Sequence, residues 1–217
     1  MIDEHTESSK RSGSFWRELP ILLGVAILVA VLVRFFELQT FYIPSPSMEH
    51  TLNVWDRVLV NKLVYDFREP RRGEIVVFKA PTDWQSGNEG EDFIKRIIGT
   101  PGDKVECCDA QERLMVNGAS LDEPYIYRDA DGNQDPAADR KFDITVPADR
   151  LWVMGDHRSA SGDSLEHYEE TNDIQEATIP QDSVIGRAFT VFWPVKRATW
   201  LSVPDGFDNI PDPAAAK

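Results

Sequence analysis

Cysteine, histidine and basic side chains are all scarce in this 217-residue sequence, and each shortage argues against a class of function. The two cysteines have no Cys or His partner at the spacing of a zinc site. Lys and Arg total 23 against 37 Asp and Glu, and the resulting net charge of −14 argues against a nucleic-acid-binding protein. We therefore expect no metal, no cofactor and no nucleic-acid partner.

Two local features leave alternatives open. Cys107 and Cys108 are adjacent, so they form either a vicinal disulfide or two buried thiols. The acidic segment Asp163–Glu176 has the residue types of a weak Ca²⁺ site, but it lacks the D-x-[DN]-x-[DN]-G loop pattern. We expect a solvated acidic loop there.

The sequence has only one long apolar run, Leu19–Phe36, which as a helix would span about 27 Å, enough for the hydrocarbon core of a bilayer. A cleaved signal peptide is the alternative, but the bulky residues 33–39 do not form a small-residue cleavage site. We therefore expect a permanent anchor. Lys10, Arg11 and Arg17 before the run, against Arg34 at its end, predict a cytoplasmic N-terminus.

Two serines stand between prolines directly after this run. Pro44 and Pro46 restrict the backbone around Ser45 and Ser47, which predicts a rigid, extended turn that presents hydroxyl groups. A serine hydroxyl is a weak nucleophile until a base activates it.

A lysine in an apolar strand is the candidate base. In Phe93–Ile98, strand alternation places Lys95 on the same face as Phe93 and Ile97. Desolvation disfavours the ammonium form and lowers the pKa. A shift from about 10.4 to about 8 takes roughly 3 kcal/mol, which a buried site can supply.

The two segments PSPSM (44–48) and FIKRIIGTPGD (93–103) are accompanied by three others, in a fixed order after the apolar run. These are Arg72–Phe78, Met154–Ser164, and Ile185–Ala188 with the later Phe192–Pro194. Together they resemble the bacterial type I signal peptidases, which are membrane-bound Ser/Lys proteases. The resemblance extends from the apolar run to about Pro194.

The resemblance implies a role for each matching residue. Ser47 corresponds to the nucleophile and Lys95 to the general base. The Ser45 hydroxyl would help the Ser47 backbone N–H to bind the oxyanion, and Ser161 would orient the lysine. Supporting and pocket positions are also implied: an ion pair of Asp156 with Arg96, Asp163 beneath the Ser161 loop, and substrate pockets lined by Ile43, Met48 and Ile94.

Four positions depart from the family pattern. His50 stands where Pro is usual, and Pro46 where Gly or Glu is commoner. Leu165 replaces an Arg, so Asp163 loses its expected partner. His157 replaces Asn and is interpreted as a turn residue. A Ser–His mechanism through His157 or His167 is the alternative, but the chain has no G-x-S-x-G context.

Short strands separated by turn residues follow the apolar run. They predict a mainly β fold of antiparallel sheets behind one N-terminal transmembrane helix. The predicted strands are Trp55–Val64, Glu74–Lys79, Phe93–Ile98, Lys104–Glu106, Arg113–Val116, Phe142–Val146, Leu151–Met154 and Ser183–Phe192. The predicted domains are a cytoplasmic tail at 1–18, a transmembrane helix at 19–36, an extracytoplasmic β-rich peptidase domain at 37–203 and a disordered tail at 204–217.

The resemblance implies a cell-membrane serine endopeptidase that removes signal peptides of the A-x-A type from secretory preproteins. Trp84, Trp193 and Trp200 are candidates for contact with lipid, or alternatively for the core. A soluble, self-cleaving Ser/Lys protease is one alternative, and the apolar run argues against it. The other is an inactive, membrane-anchored β-domain that binds exported chains.

Overall fold

A computed structural model describes residues 12–85 and 91–213, without the side chains of residues 12–17 and 32–37. Most of the predicted cytoplasmic tail (1–18) and the last four residues of the chain lie outside the described residues. The chain divides into two units, Met1–Leu38 and Gln39–Lys217.

The described residues of the first unit form the helix α1 (Ser12–Glu37), which is 26 residues long and has Pro20 in its interior. Most of its described side chains are apolar and exposed; Ile21 and Leu22, for example, expose 67% and 63% of their surface. Among the described residues, the helices do not combine the length with the apolar character that a membrane span requires. The transmembrane helix at Leu19–Phe36 therefore stays a prediction.

The second unit is built from short antiparallel strands, which confirms the mainly β fold. The strands are β1 (Leu38–Tyr42), β2 (Arg57–Asn61), β3 (Ile75–Lys79), β4 (Asp92–Gly99), β5 (Lys104–Cys107), β6 (Leu114–Val116), β7 (Ala119–Ser120), β8 (Phe142–Thr145), β9 (Arg150–Met154), β10 (Ile179–Pro180), β11 (Val184–Trp193) and β12 (Thr199–Trp200). One sheet has the order β1-β2-β11-β3-β4-β9-β10, with β12 on β11, and the other has the order β7-β6-β5-β8.

Strand β4 lies between β3 and β9, and its apolar residues enter all three hydrophobic clusters of the core. Ile98 and Ile97 are fully buried in two different clusters. Ile94 packs against the third cluster, which contains β2 and the segment after β1. Because three sets of packing contacts hold it, β4 is a rigid support for the polar side chains between these positions.

The acidic segment Asp163–Glu176 is mainly helical, so the prediction of a loop was wrong. It forms α3 (Ser164–Thr171) and most of α4 (Ile174–Ala177); a further short helix, α2, covers Val64–Phe67. Asp163 and Asp173 cap the two acidic helices by accepting hydrogen bonds from the second backbone N–H of each. Acidic side chains are favourable at such positions because they complement the unpaired N–H groups.

The C-terminal segment up to residue 213 is part of the folded unit, which corrects the predicted disordered tail. Residues Asp205–Phe207 form a 3-10 turn, and both Phe207 and Ile210 are buried in the core. The Asn117 amide donates to the Pro211 carbonyl at 2.8 Å. Two apolar anchors and this polar contact offset the chain entropy that would otherwise favour disorder.

Two further alternatives are decided by the structure. Cys107 and Cys108 form a disulfide at the end of β5. Trp84 is a core residue, because it is 6% exposed and its indole N–H donates to the Glu176 carbonyl. Trp193 and Trp200 are 52% and 75% exposed, so of the three tryptophans only these two remain candidates for contact with lipid.

The buried position of Phe207 makes a testable prediction about stability. We expect Phe207→Ala to lower the free energy of unfolding by about 3 kcal/mol, because it removes a core aromatic ring. Denaturant unfolding followed by circular dichroism measures the change. The matched control Asp208→Ala, at an exposed neighbouring position, should stay within about 0.5 kcal/mol of the unchanged protein. If Phe207→Ala were as stable as the control variant, the prediction of a disordered tail would be correct after all.

Candidate active site

The Ser47 turn, residues 44–52, follows the first strand of the folded unit. The Glu49 N–H donates to the Pro46 carbonyl at 2.8 Å, and the Leu52 N–H to the Met48 carbonyl at 2.7 Å. The side chains of Met48 and Leu52 are fully buried in the cluster that also contains Ile43. These anchors hold Ser47, which is itself only 5% exposed, in one position.

Lys95 lies in the middle of β4, opposite Val76 of β3, and is 4% exposed. Its Nζ is 2.7 Å from the Ser47 Oγ and 5.7 Å from the centre of the Phe93 ring. The two side chains are 48 residues apart in the sequence. The fold thus brings together the two groups that the sequence proposed as nucleophile and base.

Burial lowers the pKa of the Lys95 amine to about 8, because removal from water disfavours the ammonium form. The negative charges of Asp163, Glu166 and Asp156 act in the opposite direction and raise it. Burial is the larger effect. The amine is therefore partly uncharged near neutral pH, as a general base requires.

Ser45 is next to the nucleophile candidate. Its Oγ lies 3.3 Å from the Ser47 Oγ, at the edge of hydrogen-bond range, and its side chain is exposed. The Ser45 hydroxyl can therefore reach a group that is attached to Ser47. This location agrees with the expected one, while its contribution to binding an oxyanion stays a prediction.

Ser161 donates its hydroxyl hydrogen to Asp163 Oδ2 at 2.7 Å, and its contact is with this carboxylate rather than with Lys95. A side chain at Gly155 would overlap both the Ser161 Oγ and the Ser47 carbonyl oxygen. Ser161 is therefore close to the Ser47 turn, separated from it by the glycine. Its hydroxyl still has lone pairs with which to accept a hydrogen bond.

The replacement of an Arg by Leu165 does not leave Asp163 without partners. The carboxylate accepts hydrogen bonds from the Gly155 N–H at 2.8 Å, from the Leu165 N–H at 3.0 Å and from Ser161. Leu165 is buried in the core. Three donors hold the buried carboxylate in place of the expected cation.

Arg96 and Asp156 form the expected buried ion pair. Two guanidinium nitrogens donate to the two carboxylate oxygens at 2.8 and 2.6 Å. The Thr51 hydroxyl, from the Ser47 turn, donates to the same carboxylate at 2.5 Å. The guanidinium also lies 4.0 Å from the centre of the Tyr125 ring. Because Arg96 follows Lys95 in β4, this pair connects the strand to the Ser47 turn.

A cleft of about 650 Å³ opens at the Ser47–Lys95 pair. Ile94 lines it, as expected, whereas Ile43 and Met48 lie in the core cluster and not in the wall of the cleft. Sequence reasoning missed several lining residues: Trp84, Glu166, His167 and Glu170. Three of these lie on α3, which the sequence analysis treated as a solvated loop.

Neither histidine of the alternative mechanism contacts the Ser47 hydroxyl among the described residues. His167 stacks on Trp84 with ring centres 4.4 Å apart. His157 contacts the backbone of the Ser47 turn, with its ring Nδ1 3.2 Å from the Pro46 carbonyl oxygen. The Ser47 Oγ instead contacts Lys95 and Ser45.

The chain is similar to a known protein family and to a solved structure. Residues 16–193 match the family model described as signal peptidase, peptidase S26. A solved signal peptidase I from Enterococcus faecalis V583 is 28% identical, covers 55% of this chain and 97% of its own, and has a TM-score of 0.41.

Curated relatives are more similar in sequence. The probable signal peptidase I-2 of Synechocystis sp. is 40% identical, over 90% of this chain and 84% of that protein. The signal peptidase I of Leptolyngbya laminosa is 38% identical, over 85% of this chain and 83% of that protein. The family model covers most of the chain, and the relatives match along most of their own length. The chain therefore belongs to the signal peptidases of family S26, and it is a signal peptidase I enzyme.

Proposed function

We propose that the chain is a membrane-bound serine endopeptidase that removes N-terminal signal peptides from exported preproteins, with Ser47 as nucleophile and Lys95 as general base. The observation that carries the proposal is the 2.7 Å contact between a buried amine and a serine hydroxyl. Desolvation prepares the amine to accept a proton, and the cleft gives a substrate access to both groups.

In the proposed reaction, neutral Lys95 takes the Ser47 proton while Oγ attacks the scissile carbonyl carbon. The resulting ammonium group returns the proton to the leaving amine, and an acyl-enzyme forms. The neutral amine then takes a proton from water as the water oxygen attacks the ester carbonyl carbon. The ammonium returns this proton to the Ser47 Oγ as the ester bond breaks, which releases the signal peptide and regenerates the serine. One lysine serves both halves of the reaction because it accepts and returns one proton in each half and is therefore uncharged again when that half ends.

The negative oxygen of the intermediate needs hydrogen-bond donors. We assign this role to the Ser47 backbone N–H and the Ser45 hydroxyl. No described residue accepts a hydrogen bond from the Ser47 N–H, so this donor is available. The 3.3 Å separation of the two Oγ atoms supports this assignment, because an oxygen on the attacked carbon would lie close to Ser47 Oγ and hence to the Ser45 hydroxyl.

The supporting residues would keep the two reacting groups in place. Donation to Asp163 fixes the orientation of the Ser161 hydroxyl, which leaves its lone pairs to accept from Lys95. The Arg96–Asp156 pair holds Thr51 and hence the turn that presents Ser47.

The free side of β4 suits an extended substrate. Over Asp92–Lys95 the strand pairs with β3 on one side, whereas β9 pairs with it only from Arg96 onwards. A peptide can therefore add as a strand along Asp92–Lys95, within the described part of the sheet. Its alternate side chains would enter shallow apolar pockets near Ile94, which favours small residues as in A-x-A.

The apolar run Leu19–Phe36 supports anchoring in the cell membrane, with a cytoplasmic N-terminus and an extracytoplasmic peptidase domain. An anchor confines enzyme and membrane-held substrate to one surface, which raises their effective concentration. The exposed rings of Trp193 and Trp200 are suited to contact the lipid interface. The family match over residues 16–193 argues against the soluble, self-cleaving alternative.

We expect Ser47→Ala and Lys95→Ala each to reduce kcat/KM for a signal-peptide substrate by more than about 1,000-fold, because each removes one of two interdependent groups. Cleavage is measured on the full chain in detergent, with circular dichroism to confirm folding. The matched controls, Ser202→Ala and Lys62→Ala at exposed positions, should keep the original rate. Wild-type activity in either dyad variant would exclude the assigned pair.

We expect kcat/KM to rise about tenfold per pH unit below pH 7 and to level off above about pH 8, because only the neutral amine of Lys95 can act as a base. A rate that is flat from pH 5 to 9 would contradict a lysine base.

A variant of Glu166 provides a second test of the pH dependence of kcat/KM. Its negative charge raises the pKa of Lys95, so Glu166→Gln should move the inflection to lower pH. Glu69→Gln removes the same charge from an exposed position that does not line the cleft and should leave the inflection in place.

We expect the full chain to stay in the membrane pellet after alkaline extraction, and externally added protease to reach its C-terminal unit in spheroplasts. Replacing Leu28 and Val29 with Asp should release the protein, because each acidic residue costs about 3 kcal/mol in a membrane span. The matched control, Ala at both positions, should stay in the pellet. Release of the unchanged chain would rule out the anchor.

A further inference from the structure

His157 follows the end of β9 and begins the 3-10 turn Arg158–Ala160, but its side chain does not cap that turn. The ring instead faces the Ser47 turn. The His157 backbone N–H donates to the Ser47 carbonyl at 3.1 Å, and the ring Nδ1 is 3.2 Å from the Pro46 carbonyl oxygen. One residue thus contacts two consecutive carbonyl groups on either side of the proposed nucleophile.

The two polar groups near Nδ1 indicate whether this nitrogen carries a hydrogen. The Pro46 oxygen is a carbonyl and can only accept a hydrogen bond. The other polar group near Nδ1, Glu49 Oε2 at 3.4 Å, is a carboxylate oxygen and also an acceptor. Nδ1 therefore carries a hydrogen and is the donor.

The imidazole is held in this orientation by its neighbours. It stacks on the Tyr127 ring with centres 3.8 Å apart and planes 17° apart. The Tyr127 N–H donates to the carbonyl of Asp156, the residue before His157, at 2.9 Å. A backbone hydrogen bond therefore holds the two stacked residues together. On the far side, Nε2 faces Asp135 Oδ2 at 3.9 Å, and that carboxylate is fixed by two hydrogen bonds from Ser159. The ring is preorganised.

The Pro46 carbonyl and the Ser47 N–H belong to the same peptide group. Because a peptide group is planar, a contact that fixes the direction of its C=O also fixes the direction of its N–H. Donation to the carbonyl oxygen further polarises the group and strengthens the N–H as a donor. The Glu49 N–H donates to the same oxygen at 2.8 Å, so the His157 ring adds a second constraint on a backbone donor that it does not touch.

We propose that His157 is a positioning residue, which through its Nδ1–H bond to the Pro46 carbonyl directs the Ser47 N–H towards the oxyanion. The inference rests on the proposed role of Ser47 and adds a residue to it. The bond acts mainly on the charged intermediate, so its loss should lower kcat rather than raise KM.

Two variants separate hydrogen bonding from packing. His157→Phe keeps a ring for the Tyr127 stack but has no donor, and we expect kcat to fall about 10- to 100-fold, with KM within about twofold and the inflection near pH 8 unchanged. His157→Asn loses the stack but places an amide N–H close to the position of Nδ1, and it should keep kcat within about threefold. Wild-type kcat in His157→Phe, or equal impairment of both variants, would overturn the inference.

A measurement without substrate keeps this inference distinct from the proposed function. In ¹⁵N-histidine-labelled full chain, the signal that disappears in His157→Asn should report a protonated Nδ1. An unprotonated Nδ1 in the unchanged protein would overturn the inference even if cleavage is normal. A protonated Nδ1 together with no cleavage by the unchanged protein would refute the proposed function while leaving the contact itself in place.

Discussion

The contact between the Lys95 amine and the Ser47 hydroxyl constrains the rest of the folded unit. Burial lowers the pKa of an amine only if the surrounding structure excludes water and is rigid enough to keep its shape around the amine. Strand β4 meets this demand because its apolar residues enter three separate clusters. On the same strand, Arg96 points to the opposite face and holds Thr51 of the Ser47 turn through Asp156. One strand therefore fixes both partners of the contact.

Two buried ion pairs surround this site, and neither is expected to add much stability. Arg96 pairs with Asp156, and Arg158 pairs with Glu123 and also donates to the Gly155 carbonyl at 3.0 Å. Desolvation offsets most of the attraction in such pairs. Their physical effect here is geometric, since Arg158 donates to the Gly155 carbonyl beside the Ser47 turn and Arg96 donates to the Gly73 carbonyl just before β3. Precise placement of backbone groups is what a reaction with a developing charge requires.

The sequence predicted what depends on local pattern. Alternation in Phe93–Ile98 identified Lys95 as the candidate base for a serine, and the resemblance specified Ser47, 48 residues away, as its partner. The helical segment after Asp163 was missed because its many acidic residues indicated a solvated loop, while the N-caps that Asp163 and Asp173 provide were not recognised. Phe207 and Ile210 were missed because isolated apolar residues have no periodicity. The contacts of His157 depend on tertiary structure alone.

If a substrate adds to β4 as proposed, the one-sided pairing of that strand would limit how many residues of the peptide the enzyme can recognise. Within the described part of the sheet, the stretch Asp92–Lys95 has no strand on its second side and is four residues long, or about 13 Å of extended chain. Backbone hydrogen bonds over that length do not depend on the side chains of the peptide. The choice between peptides would therefore depend on the size of one or two of their side chains. Such an enzyme would process a wide repertoire of precursors that share little beyond a pair of compact residues, and new secreted proteins could become clients through very few mutations.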